Sequence, residues 1–152
     1  MAARVHHSAI TARDVEASLR FYRDGIGLAV LMDERFEGDW PTLFGVTSTA
    51  LRSVFLGDPA VPDAGIVELV DFGHRAGAAP AGEAGGAGFL LLSFFVDLEA
   101  TLLRLAALGH DDVRRIAQPA PGGAVAMATL HDPDGVLVEL IDTGAAPRAG
   151  SS

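Results

Sequence analysis

The alternation of apolar and polar positions repeats once along the chain. In the first half, "HSAITARDVEASLRFYRDGIGL" carries a short apolar run to Asp14, and then Val15, Leu19 and Tyr22 at helical spacing. In the second half, "LLLSFFVDLEATLLRLAALGH" does the same with Asp97 followed by Leu98, Leu102 and Leu105. Each aspartate precedes a hydrophobic residue, Glu, Ala and a hydroxyl residue, and its short carboxylate suits the N-cap of the helix that follows. Gly25 or Gly27 can end the first helix and Gly109 the second. Three strand-like runs come next in each half: "GLAVLMDE", "ALRSVFLGD" and "GIVELVDF", then "DDVRRIAQ", "AVAMATLH" and "GVLVELID". Before the last of them, "DPDG" at Asp132 to Gly135 is a tight-turn sequence. The pattern predicts an α+β fold made of two βαβββ modules, over residues 4–75 and 89–143. Residues 76–88, "AGAAPAGEAGGAG", read as a flexible linker, and residues 144–152 as a flexible tail.

Alternation within the closing strand of each module raises a chemical question. Val67 and Leu69 face one way, so Glu68 shares the other face with Ile66 and Val70. In the second module Val138 and Leu140 face one way, and Glu139 lies between Leu137 and Ile141. A carboxylate on an otherwise apolar face must be protonated, paired with a base such as Arg52, or bound to a cation. In the first strand, "RVHHSAIT", His7 shares a face with Ala9 and Thr11, and a neutral imidazole with two carboxylates is a common ligand set for Mn, Fe, Ni, Co or Zn as divalent ions. The other histidines are weaker candidates: His6 faces the opposite way to His7, His74 and His110 read as loop residues, and His131 precedes the turn.

Composition narrows the chemistry. The 152 residues contain no cysteine and no lysine, which excludes thiolate nucleophiles, sulfur-based zinc sites, lysine Schiff bases and a P-loop. A net charge of −9 with no basic stripe argues against nucleic acid as a partner. No apolar run approaches the ~18 residues of a membrane span, and the start has no signal-peptide layout, so a cytoplasmic protein is the expectation.

At "HHSAITARDVEASLRFYRDGIGL", "IVEL" and "HDPDGVLVEL" the chain resembles the vicinal oxygen chelate superfamily of glyoxalases, bleomycin-resistance proteins and dioxygenases, over nearly all of residues 4–142. The resemblance implies two modules whose curved mixed sheets enclose a cavity, and it points to a homodimer. Carried over residue by residue, it makes His7, Glu68 and Glu139 metal ligands. Matching Asp97 to Asp14 without gaps puts Leu90 where the fourth ligand usually stands, leaving an incomplete set.

Three functions follow as expectations, the third of them a metal-free enzyme in which Glu68 or Glu139 serves as a general base. The first is a small-molecule enzyme of lyase or isomerase type, in which a divalent metal polarises a carbonyl and Glu68 or Glu139 moves a proton through an enolate. The second is a metal-free protein that binds or sequesters a small molecule, with Phe36, Trp40 and Phe44 of "RFEGDWPTLFG", and more weakly Arg52, around the pocket.

Overall fold

A computed structural model of the chain describes residues 1–73, 76–77 and 84–145. The chain divides into two compact units, Met1–Arg23 with Gly27–Ala78 and Asp24–Ile26 with Ala79–Ser152. Residues 78–83 of the expected linker, the tail beyond residue 145 and His74 lie outside the described residues. Among the described residues no helix is long and apolar enough to cross a membrane.

In the first unit, strand β1 (His7–Thr11) leads into helix α1 (Val15–Leu19), followed by β2 (Ala29–Glu37), the short helix α2 (Trp40–Phe44), β3 (Ala50–Gly57) and β4 (Ile66–Asp71). The sheet order is β1-β4-β3-β2, with β1 parallel to β4 and the other pairs antiparallel. Asp14 caps α1 by accepting from the Ala17 amide at 3.2 Å. The helix continues as a π-helical stretch over Arg20–Ile26, which Gly27 ends at φ 100°, a conformation that favours glycine. α1 lies against β4. Val15, Leu19 and Tyr22 are buried, as are Val54, Leu56, Val67 and Leu69 on the inner face of the sheet. This is the core expected from the two periodicities.

The second unit repeats the design. β5 (Leu92–Val96), α3 (Leu98–Ala107), β6 (Arg114–Ala120), β7 (Gly123–His131) and β8 (Leu137–Asp142) build a sheet in the order β5-β8-β7-β6. Asp97 caps α3 through the Ala100 amide at 3.2 Å. Leu98, Leu105, Val138 and Leu140 are almost wholly buried where α3 packs on the sheet. At the expected turn, one Asp132 carboxylate oxygen accepts from the amides of Asp134 and Val136, both at 2.8 Å, and Gly135 takes φ 85°.

The structure departs from the sequence reading in two places. "DWPTLFG" contains a helix, α2, which Asp39 caps through the Thr42 amide and Gly45 closes at φ 70°. Pro41 occupies its first turn, where a missing N–H costs nothing. The second departure concerns the position equivalent to His7. In the sheets, Ala9 pairs with Glu68 and Ser93 pairs with Glu139, so register equates Ala9 with Ser93 and His7 with Leu91 rather than Leu90. The connection from β1 to Asp14 is one residue longer than its counterpart, which is what displaced the gap-free match. A leucine stands at the equivalent position either way.

Candidate functional site

The outer face of the first sheet forms one wall of a cavity of about 580 Å³. Alternation decides which side chains reach it: His7, Ala9 and Thr11 from β1, then Leu51, Ser53 and Phe55 from β3, then Glu68 and Val70 from β4. Met32 and Phe36 of β2 and Phe72 extend the apolar wall, and α2 adds Trp40 and Phe44. Trp40 and Phe44 stack with ring centroids 5.7 Å apart and planes 11° from parallel, and Phe72 meets Phe44 edge-on. The sequence candidates Phe36, Trp40 and Phe44 are therefore all on this cavity.

Its polar groups are few. The Ser53 hydroxyl donates to Glu68 Oε2 at 2.6 Å, a short charge-assisted bond from a serine that is 2% exposed. The other carboxylate oxygen, Oε1, lies 3.7 Å from His7 Nε2, and the Glu68 side chain is 17% exposed. The His7 ring stacks on Phe55, and its Nδ1 lies 2.8 Å from Nδ1 of His6, so one proton is shared between the two imidazoles. With His6 donating, His7 carries its proton on Nε2 and can donate into the cavity. With His6 accepting, His7 Nε2 offers a lone pair instead.

Arg52 lies elsewhere. Its neighbours Leu51 and Ser53 face the cavity, so its own side chain projects to the other side of β3, where it binds both carboxylate oxygens of Asp33, at 2.9 and 2.8 Å, and Glu16 at 3.2 Å. The hydrogen bonds from Arg52 hold the Asp33 carboxyl below the usual carboxylate range, against a smaller opposing effect of burial. The base expected to pair with Glu68 is thus committed to other acids, and a hydroxyl takes its place. Ser53 was legible as the single polar residue on the apolar face of "ALRSVFLG"; its pairing with Glu68 depends on the register of β3 against β4.

Glu139 occupies the matching place in the second unit, accepting from the Ser93 hydroxyl at 2.8 Å with Thr129 opposite it on β7. Its sheet face is open: Phe95 is 70% and Ile116 59% exposed.

A catalytic divalent ion takes about three protein donors. His7 Nε2 and Glu68 Oε1 supply two, side by side. Among the described residues no group of three or more His, Asp or Glu side chains is gathered closely enough to hold an ion. Within the first unit the cavity thus presents two adjacent donors, His7 Nε2 and Glu68 Oε1, while Glu139 belongs to the other unit.

Comparison with known proteins agrees with the architecture. The family model of the Glyoxalase/Bleomycin resistance protein/Dioxygenase superfamily matches residues 4–140. The Lactoylglutathione lyase-like protein terB of Aspergillus terreus is 37% identical over 146 residues, 90% of this chain and 74% of the relative. A glyoxalase family protein from Bacillus cereus superposes with a TM-score of 0.73 at 18% identity, over 93% of this chain and 95% of the other. Glyoxalase I from Zea mays gives a TM-score of 0.63 at 21% identity over 91% of this chain, which spans 44% of the maize chain. At these identities the two structures speak to the fold alone.

Proposed function

The chain belongs to the Glyoxalase/Bleomycin resistance protein/Dioxygenase superfamily, and from that premise we propose that it is a glyoxalase-like enzyme of lyase or isomerase type, acting on a small organic molecule in the cavity of the first unit. The observation that carries the reading is Glu68: a mostly buried carboxylate on an aromatic-lined wall, with Oε2 tied to Ser53 and Oε1 turned toward His7 Nε2. Buried carboxylates are costly to keep and are retained where they work.

The chemistry of this arrangement is proton transfer next to a carbonyl. Glu68 Oε1 takes a proton from the carbon beside the substrate carbonyl, and the C–H electrons pass into an enolate. The Nε2–H of His7 donates to the enolate oxygen as charge builds there. With an α-hydroxy ketone, Glu68 returns its proton to the former carbonyl carbon, while His7 Nε2 gives its proton to the oxygen on that carbon and then takes one from the neighbouring hydroxyl, which becomes the new carbonyl. With a leaving group on the carbon next to the one deprotonated, the enolate electrons re-form the carbonyl and expel that group, which takes the proton from Glu68, and the reaction is that of a lyase. Ser53 is a positioning residue that holds the carboxylate through Oε2.

Deuterium uptake at the carbon beside the carbonyl, followed by NMR in D2O over a panel of α-hydroxy ketones and 2-oxo aldehydes, tests this. The native chain exchanges a panel member, and Glu68→Gln slows exchange by about 10²-fold or more. Equal rates in the two proteins defeat the proposal.

A second reading has its own support. The His6 contact equally allows His7 Nε2 to present a lone pair beside Glu68 Oε1, as two ligands of a divalent ion do, with Glu139 as the third. A melting temperature that rises with Mn²⁺, Ni²⁺ or Zn²⁺ in the native chain and not in His7→Ala or Glu139→Ala is its expected signature. If the metal-linked rise is missing from the native chain, this reading falls. The relative's name suggests a glutathione conjugate as substrate, an anionic tripeptide derivative.

A further inference from the structure

The lining of the cavity bears on the kind of molecule it holds. Among the described residues that line it, Glu68 carries the one carboxylate and there is no arginine. The chain has no lysine at all. In the first unit, Arg52 is bound to Asp33 and Glu16, and Arg4 is paired with Asp63. A ligand bearing carboxylates would therefore meet like charge from Glu68 on a low-dielectric wall, with no cation there to answer it. The net charge of −9 works against such a ligand at longer range as well.

The same wall is well suited to flat rings. The parallel Trp40 and Phe44 rings, with Phe72 edge-on, offer a face for offset stacking, and Phe55 stacks under the imidazole of His7. Phe44 is 54% exposed, although large aromatic side chains are ordinarily covered. A cavity of about 580 Å³ lies within the usual range for small-molecule sites and accommodates two or three fused rings. The polar groups are suited to one oxygen: a hydroxyl can donate to Glu68 Oε1, or a carbonyl can accept from His7 Nε2.

We propose that the ligand of this cavity is an uncharged, planar conjugated ring carrying a phenolic, enolic or ketone oxygen, rather than a glutathione conjugate or another anionic thioester. This deepens the proton-transfer reading, resting on the same cavity and the same Glu68. An enolisable ketone fused to an aromatic ring satisfies both, because its enolate is delocalised into the ring that the aromatic wall holds.

Binding to the full-length protein tests the ligand class with 2-naphthol, 2-naphthoate and S-hexylglutathione as probes. Affinity is measured by calorimetry, and location by quenching of Trp40, the single tryptophan of the chain. The expected result is saturable binding of 2-naphthol with quenching, and at least ~10-fold weaker binding of 2-naphthoate, whose carboxylate meets Glu68. S-hexylglutathione is expected not to saturate. Phe44→Ala, at a half-exposed position, should weaken 2-naphthol by about 5-fold or more. Glu68→Gln should narrow the gap between naphthol and naphthoate.

Binding of 2-naphthoate or S-hexylglutathione as tight as that of 2-naphthol, lost in Phe44→Ala, overturns the ligand class and leaves the cavity in place. Deuterium exchange that depends on Glu68 in a protein that does not bind 2-naphthol also overturns the class, without touching the enzymatic reading. Naphthol binding unaffected by Phe44→Ala and without quenching of Trp40 overturns the assignment of this cavity.

Discussion

Glu68 and Glu139 stand at matching places in two copies of one topology, and their surroundings have diverged. Both lie third on the closing strand of a βαβββ unit, at a position that pairs with an interior residue of the first strand, and both accept from a serine hydroxyl. The serine of the first unit comes from β3 and is buried, whereas that of the second comes from β5 and is exposed. His7 stands two residues before the glutamate's partner on β1; Leu91 stands there before β5. The first glutamate faces a cavity of stacked aromatic rings, the second an open sheet face with Phe95 and Ile116 exposed. The duplicated scaffold thus tolerates two different treatments of one carboxylate. What the copies share is the packing behind the sheet; what separates them is the face in front of it.

Substitutions behind and in front of the sheets should follow that division. Leu69→Ala and Leu140→Ala each empty a site with no solvent exposure, and each should cost about 3 kcal/mol in denaturant titration. Similar losses would mark the shared scaffold; a large inequality would show that one copy carries most of the stability. In the exchange assay, Glu68→Gln should lower the rate by about 10²-fold and Glu139→Gln by less than ~3-fold. Equal losses would break the asymmetry and favour the metal reading, in which both carboxylates are ligands.

Smaller effects sharpen the contrast. Ser53→Ala removes a buried donor to a carboxylate and should cost about 1–2 kcal/mol by chemical denaturation, with a slowing of exchange that Ser53→Thr restores in part; Ser93→Ala, at an exposed site, should cost less than ~0.5 kcal/mol. The weakest effect is acid sensitivity behind the first sheet. Because Arg52 lowers the Asp33 carboxyl in the folded state, the pair contributes stability that is fully present above the unfolded carboxylate value of roughly 3.9 and is lost as pH falls through the lower folded value. Both groups are partly exposed, so the loss should be about 0.5–1 kcal/mol. Melting curves between pH 7 and pH 2 should show it in the native chain and not in Asp33→Asn.

Most of this scaffold was legible in the chain itself. Asp14 and Asp97 with their spaced apolar residues marked the helices, and the period of two in "GIVELVDF" and "GVLVELID" placed each glutamate opposite the helix-facing residues. α2 escaped because five residues show no period, and its only signals were Asp39 before a proline and Gly45 after. Ser53 as the partner of Glu68, and Arg52 as the partner of Asp33 and Glu16, depend on cross-strand register and on which side of β3 meets α1. Short-range pattern does not carry that information. The one-residue error in pairing His7 with Leu90 came from the same source, a loop whose length only the hydrogen-bonded ladder reveals.

The parallel ladder between β1 and β4 has a kinetic consequence. His7 belongs to the first strand of its unit to be synthesised, yet its neighbour in the sheet, β4, is the last, so no short hairpin can bring His7 and Glu68 together. Loop closure across most of the unit has to precede this pairing, which raises contact order and slows folding relative to the local hairpin β2–β3. On the ribosome, β1 must wait with its backbone unpaired until "GIVELVDF" has left the exit tunnel, and the carboxylate and the imidazole become neighbours only at that late step.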